Sequence, residues 1–132
     1  MPSYFNIARL TAVTLLLAAG MATAQMPETA APSEAKVYFV NLKSGDTVSS
    51  PVKVVMGLSG MGIAPAGIEF PQTGHHHLII DAPTPPAAAV IAADANHVHF
   101  GKGQTETSIE LAPGKHTLQL VLGDRNHVPH KP

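Results

Sequence analysis

The chain contains no cysteine and no tryptophan, and it has only two tyrosines and four phenylalanines in 132 residues. Without cysteine, disulfide bonds, thiolate metal sites and cysteine nucleophiles are excluded. Charge is also scarce, because eight basic and nine acidic residues give a formal net charge of −1. A chain with so little positive charge is a poor partner for nucleic acid or anionic lipid. The eight histidines outnumber tyrosine and phenylalanine together, so histidine chemistry needs an explanation.

Long apolar runs are missing from all but the first residues. There, Arg9 precedes an apolar stretch from Leu10 to about Ala19, and the small-residue pattern Ala22-Thr23-Ala24 follows. This order predicts a secretory signal peptide over residues 1–24, cleaved before Gln25, and hence a periplasmic or secreted protein. A membrane anchor is the alternative, but the run is shorter than the roughly 20 residues that span a bilayer. We expect no membrane span after cleavage.

The remainder of the chain is long enough for one small domain with a single core. Residues 25–35 lack periodicity and are rich in Ala, Pro and acidic residues, which predicts a disordered leader. Residues 36–132 then form the domain, as short apolar segments between turn signals. The predicted strands are 36–42, 52–58, 75–81, 97–101, 107–111 and 116–124.

These short strands predict an all-β fold, an antiparallel β-sandwich of immunoglobulin-like or cupredoxin-like type. In the last strand, Leu118, Leu120 and Leu122 alternate with polar or smaller positions and should face the core. Pro113-Gly114 predicts a tight hairpin between the last two strands.

Two His-x-His pairs stand on predicted strands. His75 and His77 share one face of their strand, whereas His76 shares the other with Leu78 and Ile80; His97 and His99 repeat the arrangement. Alternate residues lie roughly 6.5 Å apart along a strand, and two imidazoles can converge on one ion at about 2.0–2.1 Å each. The pairs therefore predict a metal site, provided that the two strands are neighbours.

The chain's end supplies two alternate ligands, His127 and His130, in a turn that follows the last predicted strand. A site of imidazoles without thiolate suits copper first and zinc next. Met61 is a further potential Cu(I) ligand, although core packing is the more common role of methionine.

Other roles for the histidines remain open. A single histidine at a strand end is commonly a half-buried residue bonded to backbone, and His76 and His116 are the first candidates. A histidine cluster could also respond to pH without metal. A His-ligated metallohydrolase is conceivable with Asp81 or Asp94 nearby, but neither HExxH nor GxSxG occurs, so we predict no enzymatic activity.

The blocks GHHHLIID, HFGKGQTE and LAPGKHTLQLVLGDRNHVPH resemble those of the bacterial domain-of-unknown-function 4399 family of small exported proteins, over about Lys36 to Pro132. The resemblance implies a conserved-motif site but no settled activity. Residues that match its motif are His75, His76, His77, His99, Phe100, Gly101, His116, His127, Pro129 and His130. Relatives look as though they continue past the HxPH turn into a further strand, so the resemblance also implies a sandwich that lacks its last strand here.

Two functions follow as hypotheses. The first is a periplasmic, histidine-rich protein that carries or buffers copper or zinc through His75, His77, His97 and His99, with His127 and His130 as alternates. The second is an immunoglobulin-like module that binds an envelope protein, with structural or pH-responsive histidines and no metal.

Overall fold

The computed structural model describes residues 24–131, so the predicted signal peptide lies almost entirely outside the described residues. Seven strands and no helix occur within that range. The strands are β1 (Lys36–Phe39), β2 (Val52–Ser59), β3 (Gly62–Ile63), β4 (Thr73–Ile80), β5 (His97–His99), β6 (Glu106–Ile109) and β7 (Leu118–Gly123). The prediction of an all-β sandwich is confirmed.

The strands form two sheets. One has the order β1-β2-β6 with antiparallel pairs. In the other, β4 pairs with β5 and β7 in antiparallel fashion and with the short β3 in parallel fashion. His77 lies opposite His99 of β5 and also opposite Val121 of β7, so these two strands flank β4. The triple histidine thus lies on a central strand.

The core forms between the two sheets because one face of each strand is apolar. Along β2, Val52, Val54 and Met56 are buried, whereas Lys53 between them is exposed. The core cluster also takes residues from β4, β5–β6 and β7: Leu78, Ile80, Phe100, Ile109 and Leu120. Leu118 packs against this cluster and Leu122 is buried. Their common parity makes this the core face of the second sheet, as the alternation predicts.

Strand β4 differs from β2 because seven of its eight residues are buried. One face of β4 lies in the core, and loop segments cover the other face. Near that second face, the backbone N–H of Ile91 donates to the carbonyl of His127 at 2.8 Å, and Ile91 and Val128 are buried. Histidines on both faces of β4 are consequently shielded from solvent.

Two local predictions need correction. The Pro113-Gly114 turn does not close a hairpin, because β6 pairs with β2 while β7 pairs with β4 in the other sheet. The chain crosses between sheets at this turn. In addition, β3 lies between the predicted strands, in a stretch without a strand pattern of its own. It is a strand because it pairs with Thr73 and Gly74 of β4.

The predicted leader contacts the domain at several points. The N–H of Met26 donates to the carbonyl of Ala88. At the parallel bridge between Ala30 and Lys131, the N–H of Ala31 donates to the carbonyl of Lys131, and the N–H of Lys131 donates to the carbonyl of Thr29. Among residues 24–131, no helix has the length and apolar character needed to cross a bilayer.

Candidate metal centre

Strand pleating separates the three consecutive histidines of β4. His76 lies opposite Leu122 and shares the core face with Leu78. His75 and His77 lie on the other face, and all three residues are at most 1% exposed. The pair that the alternation predicts thus projects away from the core into a second buried region.

Strand β5 brings a third imidazole to this region. His99 lies directly opposite His77 in the antiparallel register, and opposite residues of a strand pair place their side chains on the same face. The ring centroids of His77 and His99 are 5.1 Å apart, and those of His75 and His99 are 5.0 Å apart. The two predicted His-x-His strands are therefore neighbours, but β4 contributes both histidines of its pair and β5 contributes only His99.

A turn after β7 supplies the fourth imidazole, from His127. The buried Asp124 organises this turn, because its Oδ1 accepts the backbone N–H groups of Asn126 at 2.8 Å and Val128 at 3.1 Å. Its Oδ2 accepts the hydroxyl of Thr29 at 2.8 Å. His127 itself has φ of +62°, a conformation that is uncommon for residues other than glycine. These contacts hold His127 over the β4 pair.

We refer to His75, His77, His99 and His127 as the histidine quartet. One ring nitrogen of each lies within 4.8 Å of one from every other member. The ring centroid distances not given above are 4.8 Å for His75–His77, 5.1 Å for His75–His127, 5.9 Å for His77–His127 and 4.6 Å for His99–His127. This group could hold one metal ion.

Two nitrogen distances at His75 fit a shared metal better than they fit two hydrogen bonds. Nε2 of His75 lies 3.0 Å from Nε2 of His77 and 3.2 Å from Nδ1 of His127. Each imidazole nitrogen has one in-plane position, occupied by either a proton or a lone pair, so Nε2 of His75 cannot form two good hydrogen bonds. In a tetrahedron with bonds of 2.0–2.1 Å, ligand atoms are separated by about 3.3 Å. A central cation would satisfy all these lone pairs together.

The electrostatics of the quartet favour neutral rings, which are the form that binds metal. Burial, followed by the proximity of His127 and His99, lowers the pKa of His75 to about 4. Burial and the other histidines, His75 first, lower the pKa of His77 to about 3. Burial and His127 also lower the pKa of His99. At neutral pH these three rings carry no proton that a metal would have to displace from the ligand lone pair.

Two glycines make room for the quartet. A Cβ added at Gly123 would lie 2.7 Å from Nε2 of His77, and one added at Gly101 would collide with the ring of His99. Both glycines are therefore sites of close approach, where the ring packs against bare backbone. Neither glycine has a signal in the sequence that separates it from a turn glycine.

The structure places two of the six predicted ligands outside the quartet. His97 pairs through Nδ1 with Asp94 at 2.7 Å, and Nε2 of His130 lies 3.2 Å from the carbonyl of Thr73. The sequence spacing of these two histidines is as favourable for metal binding as that of the quartet members. Only the tertiary structure separates them from the quartet. The predicted site does not include Asp124 as the residue that positions His127. The signal available is that Asp commonly begins an Asx turn, in which its carboxylate accepts the backbone N–H two residues later.

The two histidines predicted to be structural differ from each other. His116 bonds the carboxylate of Asp81 at 2.7 Å and the carbonyl of Ala112 at 2.6 Å, and these bonds raise its pKa. It therefore ties the turn before β7 to the end of β4. His76 is instead fully buried, and neither ring nitrogen finds a hydrogen-bond partner among residues 24–131. The expected backbone bond of its ring is absent.

The fold and the site together define a small β-sandwich domain with a group of four histidines, two buried and two half-buried, that could bind a metal. The chain belongs to the family described as domain of unknown function DUF4399, whose sequence profile matches residues 54–132. No curated protein and no solved structure matches the chain.

Proposed function

We propose that this protein binds one metal ion in the histidine quartet and carries or buffers that metal in the cell envelope. The observation that carries the proposal is the convergence of four imidazole nitrogens within 4.8 Å of one another. Four rings from two strands and a turn are brought together across 52 residues of sequence between His75 and His127. Such convergence around a buried pair of histidines suits a cation better than it suits four uncharged rings.

Copper is the metal we propose first, with zinc second. Imidazole suits both metals, and the affinity of a nitrogen site for divalent ions peaks at copper in the first transition row. The quartet has no sulfur or carboxylate ligand, so the site lacks the thiolates that select Cu(I) and the oxygen ligands that select magnesium or calcium.

The signal-peptide pattern of residues 1–24 supports action in the periplasm or outside the cell. In that location a metal-binding protein meets ions before they reach the cytoplasm. We propose a binding role without catalysis, because the sequence offers no recognisable general base beside a nucleophile.

The test is the metal content of untagged protein purified from the periplasm, followed by competitive titration with Cu(I), Cu(II) and Zn(II). We expect about one equivalent of tightly held metal per chain, because one quartet holds one ion. The absence of binding that withstands a competing chelator would contradict the proposal.

A matched pair of variants assigns binding to the quartet. His99→Ala and His97→Ala each remove one imidazole from β5, and both residues are half-buried, but only His99 belongs to the quartet. We expect a large loss of affinity in His99→Ala and unchanged affinity in His97→Ala. Equal affinities in the two variants would place the metal elsewhere.

A second candidate function, binding of an envelope protein without metal, is favoured by an exposed apolar loop. Ile68 is 52% exposed and Phe70 is 67% exposed between β3 and β4, and large apolar side chains on a surface can mark an interaction site. A thermal melt with and without chelator separates the two functions, because only a bound metal would raise Tm. An unchanged Tm together with loss of pull-down in Phe70→Ser would favour the interaction role.

A further inference from the structure

His97 shares the face of the quartet without belonging to it. It lies opposite Ile79 on β4, two positions along from the pair His77 and His99. Side chains alternate along a strand, so His97 and His99 lie on one face, roughly 6.5 Å apart at the backbone. By register, His97 is therefore the residue next to His99 on the quartet's face of β5.

The His97 ring is held in one orientation and keeps one nitrogen for other use. Its Nδ1 is 2.7 Å from Oδ1 of Asp94, and the backbones of these two residues exchange hydrogen bonds of 3.2 Å across a short turn. No hydrogen bond within residues 24–131 uses Nε2 of His97. A carboxylate bonded to one ring nitrogen fixes the orientation of the ring, as is usual for histidines that bind metal.

Exposure also distinguishes His97 from the inner members of the quartet. The His97 side chain is 19% exposed and Asp94 is 54% exposed, whereas His75 and His77 are at most 1% exposed. The β4 pair is closed to solvent, so a metal ion from outside has to approach it past the half-buried histidines around it, which are His97, His99 and His127.

We propose that His97, oriented by Asp94, is a transfer ligand that binds the metal transiently as it moves between an external ligand and the quartet. This inference rests on the proposed function of the quartet. As the bond between Nε2 of His97 and the metal forms, one bond from the metal to its external ligand breaks. In the next exchange a quartet nitrogen replaces His97. The oxidation state of the metal does not change, and each step exchanges one donor atom for another.

Transfer kinetics test the role of His97. Protein loaded with Zn(II) or Cu(II) is mixed with a chromophoric chelator in a stopped-flow instrument, and the reverse transfer is also followed. His97→Ala should slow both directions at least about tenfold and leave Kd unchanged, because a ligand used only in passage alters the barrier and not the end states. Unchanged rates would overturn the proposal, and a weakened Kd would make His97 a resident ligand instead.

Two further variants control the experiment. His116→Ala removes another aspartate-paired histidine, but one whose ring nitrogens are both engaged, by Asp81 and Ala112; its transfer rate should match the wild type. Asp94→Asn should slow transfer less than His97→Ala, and the double variant should be no slower than His97→Ala, because both residues act through one imidazole. Additive slowing would contradict this mechanism.

If wild-type protein binds no metal, both the proposed function and this inference fail. If it binds metal but His97→Ala leaves the transfer rates unaltered, only this inference fails.

Discussion

At the scale of single residues, the quartet depends on the absence of a side chain at Gly123. Gly123 lies opposite His75 in β7, and a methyl group there would come within 2.7 Å of Nε2 of His77. No ordinary carbon contact is so short, so either the imidazole or the backbone has to move. The space beside this backbone therefore determines where the His77 ring can lie within the quartet.

Gly123→Ala should consequently weaken metal binding while leaving every histidine in place. We expect the free energy of unfolding to fall by about 1–3 kcal/mol, as is typical of overpacking, and Kd to rise because Nε2 of His77 is displaced. Isothermal titration and urea denaturation measure the two effects.

Gly62→Ala is the matched control for this prediction. It introduces the same methyl group in a strand, but its nearest neighbour is a methyl group of Thr73 at 3.4 Å, an ordinary contact. A Gly123→Ala protein with wild-type Kd would show that His77 does not bind through the nitrogen that faces Gly123.

At the scale of structural elements, the histidines of the quartet are positioned in two ways. His77 and His99 are fixed by the register of β4 and β5, and His75 by the register of β4 and β7, whereas His127 lies in a turn outside the strands. The carboxylate of Asp124 replaces that support by accepting two backbone N–H groups of the turn. His127 is thus the member of the quartet most sensitive to a change outside it.

Asp124→Ala tests this dependence. Alanine has no side-chain acceptor, so the two backbone N–H groups of the turn and the hydroxyl of Thr29 all lose their bonds to residue 124. We expect an unfolding free energy lower by about 1–3 kcal/mol and metal affinity lower by about 10–100-fold, the usual range for residues that orient a ligand.

Thr29→Val provides the contrast, because it removes only the bond to Oδ2 and leaves both turn bonds intact. We expect this variant to bind metal as the wild type does. If Asp124→Ala also keeps wild-type affinity, the turn holds His127 without the carboxylate.

At the scale of the whole molecule, burial of neutral histidines makes stability depend on pH. The pKa values of His75 and His77, about 4 and about 3 in the folded protein, lie below the ordinary value of 6.5. Between these limits the unfolded chain binds more protons than the folded one, so the free energy of unfolding falls as pH falls. The contribution is fully present above about pH 6.5 and is lost progressively towards the folded pKa values.

We therefore expect metal-free protein to be less stable towards urea at pH 5 than at pH 7.5. His75→Gln combined with His77→Gln should flatten this dependence. His116 acts in the opposite direction, because its raised pKa gives stability that is present at low pH and lost as pH rises through the folded value. His116→Gln should steepen the loss on acidification, and equal stability of the wild type at both pH values would contradict the prediction.

The chain's local patterns predict the strands and the faces on which their histidines lie, because alternation is a property of one strand. They do not predict which strands pair. His97 and His99 are equivalent by parity, and only the register that sets His99 opposite His77 brings one of them into the quartet. In the same way, Pro113-Gly114 is a sound turn signal, but a turn does not determine which sheet receives the next strand.

The phase of the pleat in β4 has a consequence for how such sites are gained and lost in evolution. His75 and His77 face the quartet, whereas His76 faces the core with Leu78. A shift of β4 by one residue against its neighbours would bring His76 alone to the quartet and bury the other two rings in the core. A single inserted or deleted codon within this strand could therefore abolish the site in a descendant while preserving all three histidines, so residue parity identifies such a site where a count of histidines does not.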